Sequence, residues 1–188
     1  MLDYANPGTF ATVFIALYVA HGVADHWLQT DYQAATKGKR DWEGVGACAT
    51  HVGVYILAAS VLLFVVDAVF GLELTVAGVL IGQAISAVTH YWADRRFTLA
   101  RLCDRLGIGG FYRLGAPREV VAYTNTDLQR VELYRRENAP SDQTWHRQML
   151  VSDHQSWDNP SLGTGAYVLE QWWHIFWLFI AAIVTVIL

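Results

Sequence analysis

Charge is scarce in this chain: only 16% of its 188 residues are Asp, Glu, Lys or Arg, and it has two cysteines, two methionines and four prolines. Soluble domains carry roughly a quarter charged residues, so the shortage argues against a highly charged soluble domain, a coiled coil or a disordered chain. Cys48 and Cys103 stand far apart, which provides neither a CxxC site nor a disulfide framework. A net charge of −4 offers no global basic surface, and no direct nucleic-acid binding is expected. A nucleophile elbow, a P-loop and an HExxH pair are also missing. What is abundant is apolar: 54% hydrophobic residues, eight tryptophans and a positive mean hydropathy of +0.25. The composition implies a compact membrane protein.

Four apolar runs reach the about 20 residues that a bilayer-crossing helix needs. They are Thr9 to Leu28, Val45 to Val66 with a continuation toward Phe70, Leu74 to Trp92, and Ala166 to Leu188. The residues before the first run contain no basic n-region or cleavage site, so it reads as a retained span rather than a signal peptide. All 13 basic residues lie in two segments, Lys37 to Arg40 and Arg95 to Arg147. Under the positive-inside rule, residues 30–44 and 95–165 are cytoplasmic and both termini lie outside. Trp27, Trp92, Trp172, Trp173 and Trp177 cluster toward the cytoplasmic ends, as an interfacial belt would.

The expected fold is all-α, a four-transmembrane-helix bundle with a small cytoplasmic helical cap between helices 3 and 4. Residues 1–106 hold three spans and an amphipathic extension, 107–163 the cap, and 164–188 the last span, as one membrane domain. Leu99, Leu102, Cys103 and Leu106 recur at helical spacing, so span three is expected to run on as an amphipathic surface helix, ended by Gly107 to Gly110. In the cap, Thr126 to Gln129 has the pattern of a capping box opening a helix through Glu137. Pro140 and Ser141 open another stretch ending near Pro160. His146 and His154 there are expected to be solvated.

Specific chemistry is confined to the spans, where ionisable side chains are costly and mark function. His21, Asp25 and Gln29 follow at four-residue steps, which makes one stripe on a helix of 3.6 residues per turn. His51 enters with span two, His90 and Asp94 close span three, and Glu170, Gln171 and His174 open span four. The topology brings them to similar depth. Lysine and arginine are not expected there, which would leave three carboxylates uncompensated; the alternative for Asp25 and Asp94, for Asp94 first, is an interfacial, solvated carboxylate. His26 falls off the stripe and reads as an interface residue. Each hairpin supplies His-xxx-Asp on its outgoing helix and a histidine on its return, a parallel repeat broken at Glu170 and Gln29.

Four histidines and three carboxylates are suitable ligands for a divalent metal: His21, Asp25, His51, His90, Asp94, Glu170 and His174. Zinc is the first expectation, with manganese or iron as alternatives, and the unequal halves suggest two ions. Glu170, which breaks the repeat, is the expected catalytic base or extra ligand. Gln29 and Gln171 are expected to hydrogen-bond the ligands. Arg95, Arg96, Arg101 and Arg105 are expected to contact lipid headgroups or an anionic substrate.

The run from Ala20 to Asp31 (AHGVADHWLQTD), with His51, with His90 and Asp94, and with Glu170-Gln-Trp-Trp-His174, resembles the signature of a bacterial and phage-encoded family of small integral membrane proteins without an assigned activity. That family usually has Asp where Glu170 stands. The likeness covers the four spans, and the cap has no counterpart in it. It implies a multi-pass protein of the bacterial inner membrane. A looser similarity links the motifs to membrane-bound metal-dependent hydrolases. The expected function is therefore metal-dependent hydrolysis at the cytoplasmic leaflet, on a phosphorylated or lipid-type substrate. The alternatives are metal-ion or proton translocation, in which a homo-oligomer would supply a pore, and a non-enzymatic, metal-stapled interaction protein, with a phage-associated role as one form of it.

Overall fold

The computed structural model describes residues 6–114 and 163–188 in full and, between them, the backbone of three strands. Helix α1, Pro7–Val23, opens with proline in its first turn and the Asn6 side chain accepting from the Gly8 amide at 2.8 Å, which satisfies an otherwise orphan donor. A π-helical turn, Ala24–Leu28, follows. The short helix α2, Asp31–Thr36, begins at a Thr30/Gln33 capping box. Helix α3 spans Trp42–Phe70 from the Asp41 cap to Gly71, whose φ of 60° is the left-handed conformation that ends helices. Helix α4 is Val76–Asp94, capped by Thr75. Two short helices, α5 (Phe97–Arg105) and α6 (Gly109–Tyr112), precede the strands, and α7 spans Thr164–Ile187.

The long helices pack in a ring: α1 contacts α3 and α7, and α4 contacts the same two. The residues Pro7–Leu28, Trp42–Phe70 and Thr164–Ile187 form helices long and apolar enough to cross a membrane. Helix α4 has the length but is less apolar, because Gly78, Gly82, Gln83, Ser86, Thr89 and His90 lie along it. The interior is made of small and medium side chains, among them Val13, Leu17, Ala59, Leu63, Leu178 and Ala181. Leu57, Phe64, Leu80, Val88 and Phe176 instead point outward. Large apolar side chains on the outside and small ones at helix contacts are the pattern of helices packed within lipid.

The closest approach is between α4 and α7. A Cβ on Gly78 would strike the Thr185 carbonyl, and one on Gly82 would meet Thr185 and stand 2.9 Å from the Ala181 carbonyl oxygen. Trp27 and Trp172 are exposed, as a belt requires. Trp92 and Trp173 instead stack at 4.6 Å, and the Trp173 indole donates to the Thr89 carbonyl at 3.1 Å. These two tryptophans therefore tie α4 to α7.

Two expectations need correction. The amphipathic helix does not continue span three: the chain turns at Arg95–Arg96, where Arg96 has a φ of 51°, before α5 begins. Leu99 and Cys103 of α5 are buried with Tyr112 and Ala166, while Leu106 is exposed. The apolar face is thus covered by protein. Second, the described part of the cap is helical only in α6. It holds strands β1 (Val120–Asn125), β2 (Arg130–Arg135) and β3 (Trp145–Val151), antiparallel in the order β2-β1-β3. Val120 pairs with Arg135 and with Val151, and the β1–β3 register shifts between Ala122 and Tyr123. Val131 and Leu133 alternate with charged residues, a period of two that suits a strand better than the expected helix through Glu137. His146 lies on β3, inside the stretch that Pro140 and Ser141 open; Thr126–Gln129, Pro140, Ser141 and His154 lie outside the described residues.

Replacing Gly82 with isoleucine should overpack the α4–α7 contact and lower stability by about 1–3 kcal/mol. Thermal unfolding in detergent measures this against Gly53→Ile, at an exposed site where an added Cβ meets no neighbour.

Candidate metal centre

The ligand cluster is built at one end of the helix ring. His21 comes from the last turn of α1, and Asp25 from the π-helical turn that follows. This turn carries the Gln29 amide to the Ala24 carbonyl at 2.9 Å, one residue wider than an α-turn. Gln29 therefore leaves the stripe that four-residue spacing assigns to it, with an extended backbone and a buried amide nitrogen lacking a hydrogen-bond partner. His51 is on α3, His90 and Asp94 end α4, and Glu170 and His174 lie near the start of α7. All seven expected ligands converge.

At the centre are His51 Nε2, His90 Nε2, Asp25 Oδ1 and Asp94 Oδ2. The two nitrogens are 3.2 Å apart. His51 Nε2 is 3.3 Å from Asp25 Oδ1 and 3.2 Å from Asp94 Oδ2, while His90 Nε2 is 3.5 and 3.3 Å from the same atoms. A neutral imidazole has one N–H to give, so each nitrogen has more neighbours than hydrogen bonding can use. Each aspartate oxygen instead stands close to both nitrogens. Among the described residues, His51–His90–Asp94, His21–Asp25–His90 and Asp94–Glu170–His174 are groups that can hold a metal ion.

The remaining ligand candidates surround this set. His21 Nδ1 is 3.5 Å from Asp25 Oδ2, and both its ring nitrogens are buried without a hydrogen-bond partner. His174 Nε2 is 3.7 Å from Asp94 Oδ1. Glu170 is buried, and its Oε1 also lacks a partner. Native interiors seldom leave such groups unsatisfied. Orphaned imidazole nitrogens and a carboxylate oxygen around a nitrogen–oxygen donor set fit a bound cation. Gln171 is half-buried on α7, and His26 is exposed, bonding Gly22 O at 3.0 Å and the Tyr167 hydroxyl at 3.1 Å.

The expected absence of basic groups is wrong. Lys37 is 5% exposed, and its Nζ lies 3.0 Å from Asp94 Oδ1. Asp94 has no exposure at all, which removes the alternative of a solvated, interfacial carboxylate there. Burial opposes the charge on Lys37, but Asp94, Glu170 and Asp25 outweigh it and hold the ammonium above its ordinary value of 10.5. Arg95 and Arg96 are buried too. Arg96 Nη2 donates to the Ala34 carbonyl at 2.8 Å, and Arg95 donates to the Lys39 carbonyl. They brace the segment carrying Lys37 and are not on the exposed surface. Arg101 and Arg105 remain exposed on α5.

Sequence reasoning also missed a polar seam between α3 and α4. The Tyr55 ring stacks on His90 at 4.5 Å, and its hydroxyl is 2.5 Å from Ser86 Oγ. Gln83 Nε2 donates to Ser60 Oγ at 3.0 Å, leaving Gln83 Oε1 buried and unpartnered. Tyr55 on α3 and Ser86 and Gln83 on α4 stand four, four and seven residues from a ligand histidine, spacing that marks their faces; Ser60 does not share it. Comparison of the chain with family models, curated proteins and solved structures gives no match.

Lys37→Met removes one partner of a buried ion pair and should cost metal-free protein about 3–5 kcal/mol, measured as a lower unfolding midpoint. The raised lysine value sets the pH dependence. The contribution of Lys37 is complete below about 10.5 and declines as pH rises through the higher folded value. Wild type and variant should therefore converge only in strong alkali.

Proposed function

We propose that the protein is a four-transmembrane-helix metalloprotein of the bacterial inner membrane, working as a metal-dependent hydrolase at the cytoplasmic leaflet. The observation that carries this reading is the meeting of His51 Nε2 and His90 Nε2, 3.2 Å apart, with each of Asp25 Oδ1 and Asp94 Oδ2 at 3.2–3.5 Å from both. Zinc bonds of about 2.0–2.1 Å to nitrogen and oxygen imply tetrahedral donor–donor edges of about 3.3–3.4 Å. The nitrogen–nitrogen and nitrogen–oxygen separations suit an ion of this size. A bound ion of this kind supplies Lewis acidity toward a water and toward a phosphoryl or acyl oxygen.

Glu170 stands beside this set with a free carboxylate oxygen, which suits a proton acceptor. Lys37, Arg95 and Arg96 offset the three carboxylates, so an added divalent ion leaves the neighbourhood positive and attractive to an anionic substrate. Arg101 and Arg105, exposed on α5, are the groups to meet a phosphorylated or lipid-type substrate at the membrane surface. The basic segments on the same side of the spans support the cytoplasmic orientation. The motif resemblance to the bacterial and phage-encoded membrane family agrees with this reading but adds no activity to it.

A second reading, transport of protons or metal ions, is favoured by the Tyr55–Ser86 and Gln83–Ser60 pairs, which extend polar groups from the cluster along the α3–α4 seam. Proton or zinc flux into vesicles containing the protein, lost in Gln83→Leu, would establish that reading over hydrolysis.

For the hydrolase, wild type purified without chelators should contain zinc by elemental analysis and cleave bis-p-nitrophenyl phosphate. His51→Ala should lose both metal and turnover. Glu170→Gln should keep the metal while turnover drops about 10²–10⁴-fold. Metal-free wild type, or unchanged turnover after chelation, would end the hydrolase reading.

A further inference from the structure

The expectation of two ions depends on a second donor group, Asp94, Glu170 and His174, whose ligand atoms lie within 4.8 Å of one another. We propose that this second position is filled by the chain itself: the ammonium of Lys37 stands where a second metal ion would bind, and the centre holds a single divalent ion. The inference rests on the metal reading of the first donor group given above.

The two oxygens of Asp94 are divided between two environments. Oδ2 faces His51 Nε2 and His90 Nε2 at 3.2 and 3.3 Å. Oδ1 faces Lys37 Nζ at 3.0 Å, with His174 Nε2 at 3.7 Å. A bridging carboxylate in a two-metal site would give one oxygen to each ion. Here the second oxygen already has a cation. An ion bound to Oδ1 at about 2 Å would sit within a few ångströms of the ammonium, where two like charges in a poorly screened interior repel strongly. Metal and lysine therefore exclude one another at this position.

The lysine is delivered by a built segment. The Thr30/Gln33 capping box starts α2, and Gln33 Nε2 also reaches Thr50 Oγ1 on α3 at 3.3 Å. The Lys37 amide closes the helix on the Gln33 carbonyl at 2.9 Å. Arg96 holds the Ala34 carbonyl from one side, and Arg95 holds that of Lys39 from the other. Any side chain at Gly44 would strike the Lys39 carbonyl, so α3 is shaped to let this segment lie close. Contacts from α3 and from the Arg95–Arg96 turn hold the segment on either side of one buried lysine. A flexible surface lysine would need none of them.

A tethered ammonium neutralises the shared carboxylate as a second ion would, but it cannot dissociate. It also offers hydrogen-bond donors with no coordination geometry of its own. Glu170 and His174 are then left as groups beside the ion rather than ligands to it.

Equilibrium dialysis of intact, detergent-solubilised protein against zinc, with elemental analysis, tests the assignment. Wild type should bind one equivalent per chain and Lys37→Gln two, and the double variant Lys37→Gln/Glu170→Gln should return to one. In the wild-type background, Glu170→Gln and His174→Ala should each retain the single equivalent that His51→Ala loses. This arm holds even where Lys37→Gln does not fold. Two equivalents in wild type, one in folded Lys37→Gln, or loss of the single ion from Glu170→Gln or His174→Ala would each overturn the proposal while leaving a metalloprotein. No zinc in wild type would instead remove the metal reading itself and this inference with it.

Discussion

The carboxylate of Asp94 is fully buried among four helices, and a desolvated charge of this kind costs several kcal/mol unless partners on every side offset it. Much of the architecture at this end of the molecule supplies those partners. Helix α3 contributes His51, α4 returns His90 from its own preceding turn, α7 brings His174, and the segment after α2 inserts Lys37. The chain leaves α4 directly after Asp94 through a sharp turn at Arg96, which sends Arg95 and Arg96 back toward the inserted segment. Arrangement around one buried anion thus accounts for the turn, the brace and the inserted lysine together.

The donor set joins two kinds of local structure. His90 and Asp94 keep ordinary four-residue helical spacing and meet at 3.3 Å. His21 and Asp25 have the same spacing, but the backbone between them passes into a π-helical turn. That turn directs Asp25 Oδ1 toward His51 and His90 while Oδ2 stays near His21. The repeat read in the two hairpins is consequently unequal in space. Both aspartates reach the central group, but its histidines, His51 and His90, are not equivalent members of the repeat. A π-turn at one aspartate and a lysine at the other break the symmetry in different ways.

Much of this site was legible in the chain. A histidine or carboxylate within an apolar helix is costly in lipid, so seven such residues at matching depth pointed to one another before any fold was known. Helix limits were equally readable: Asn6, Asp41 and Thr75 cap helices close to where the apolar runs begin, and Gly71 ends one. Lys37 was not legible. It lies in a segment that reads as an ordinary basic loop, and loop charges ordinarily remain solvated. The same reasoning put Arg95 and Arg96 at the surface. The strands after Gly110 were missed because capping and helical spacing were sought there, although Val131 and Leu133 alternate with polar residues.

The chain alone determined the class of protein and the chemistry available to it. Apolar length, scarce charge, the distribution of basic residues and the ligand types are properties of composition and spacing, and they persist in any packing of the helices. Tertiary structure decided which donors share a point, which carboxylate is most deeply buried and which cation accompanies it. Those outcomes depend on contacts between residues far apart in the chain, Lys37 with Asp94 and Asp25 with His51 and His90. A π-turn and a folded-back loop shift such groups by a few ångströms, enough to decide between a ligand, a counter-ion and a solvated charge. The scarcity of charge therefore identified a membrane protein, and packing determined how its few charges are spent.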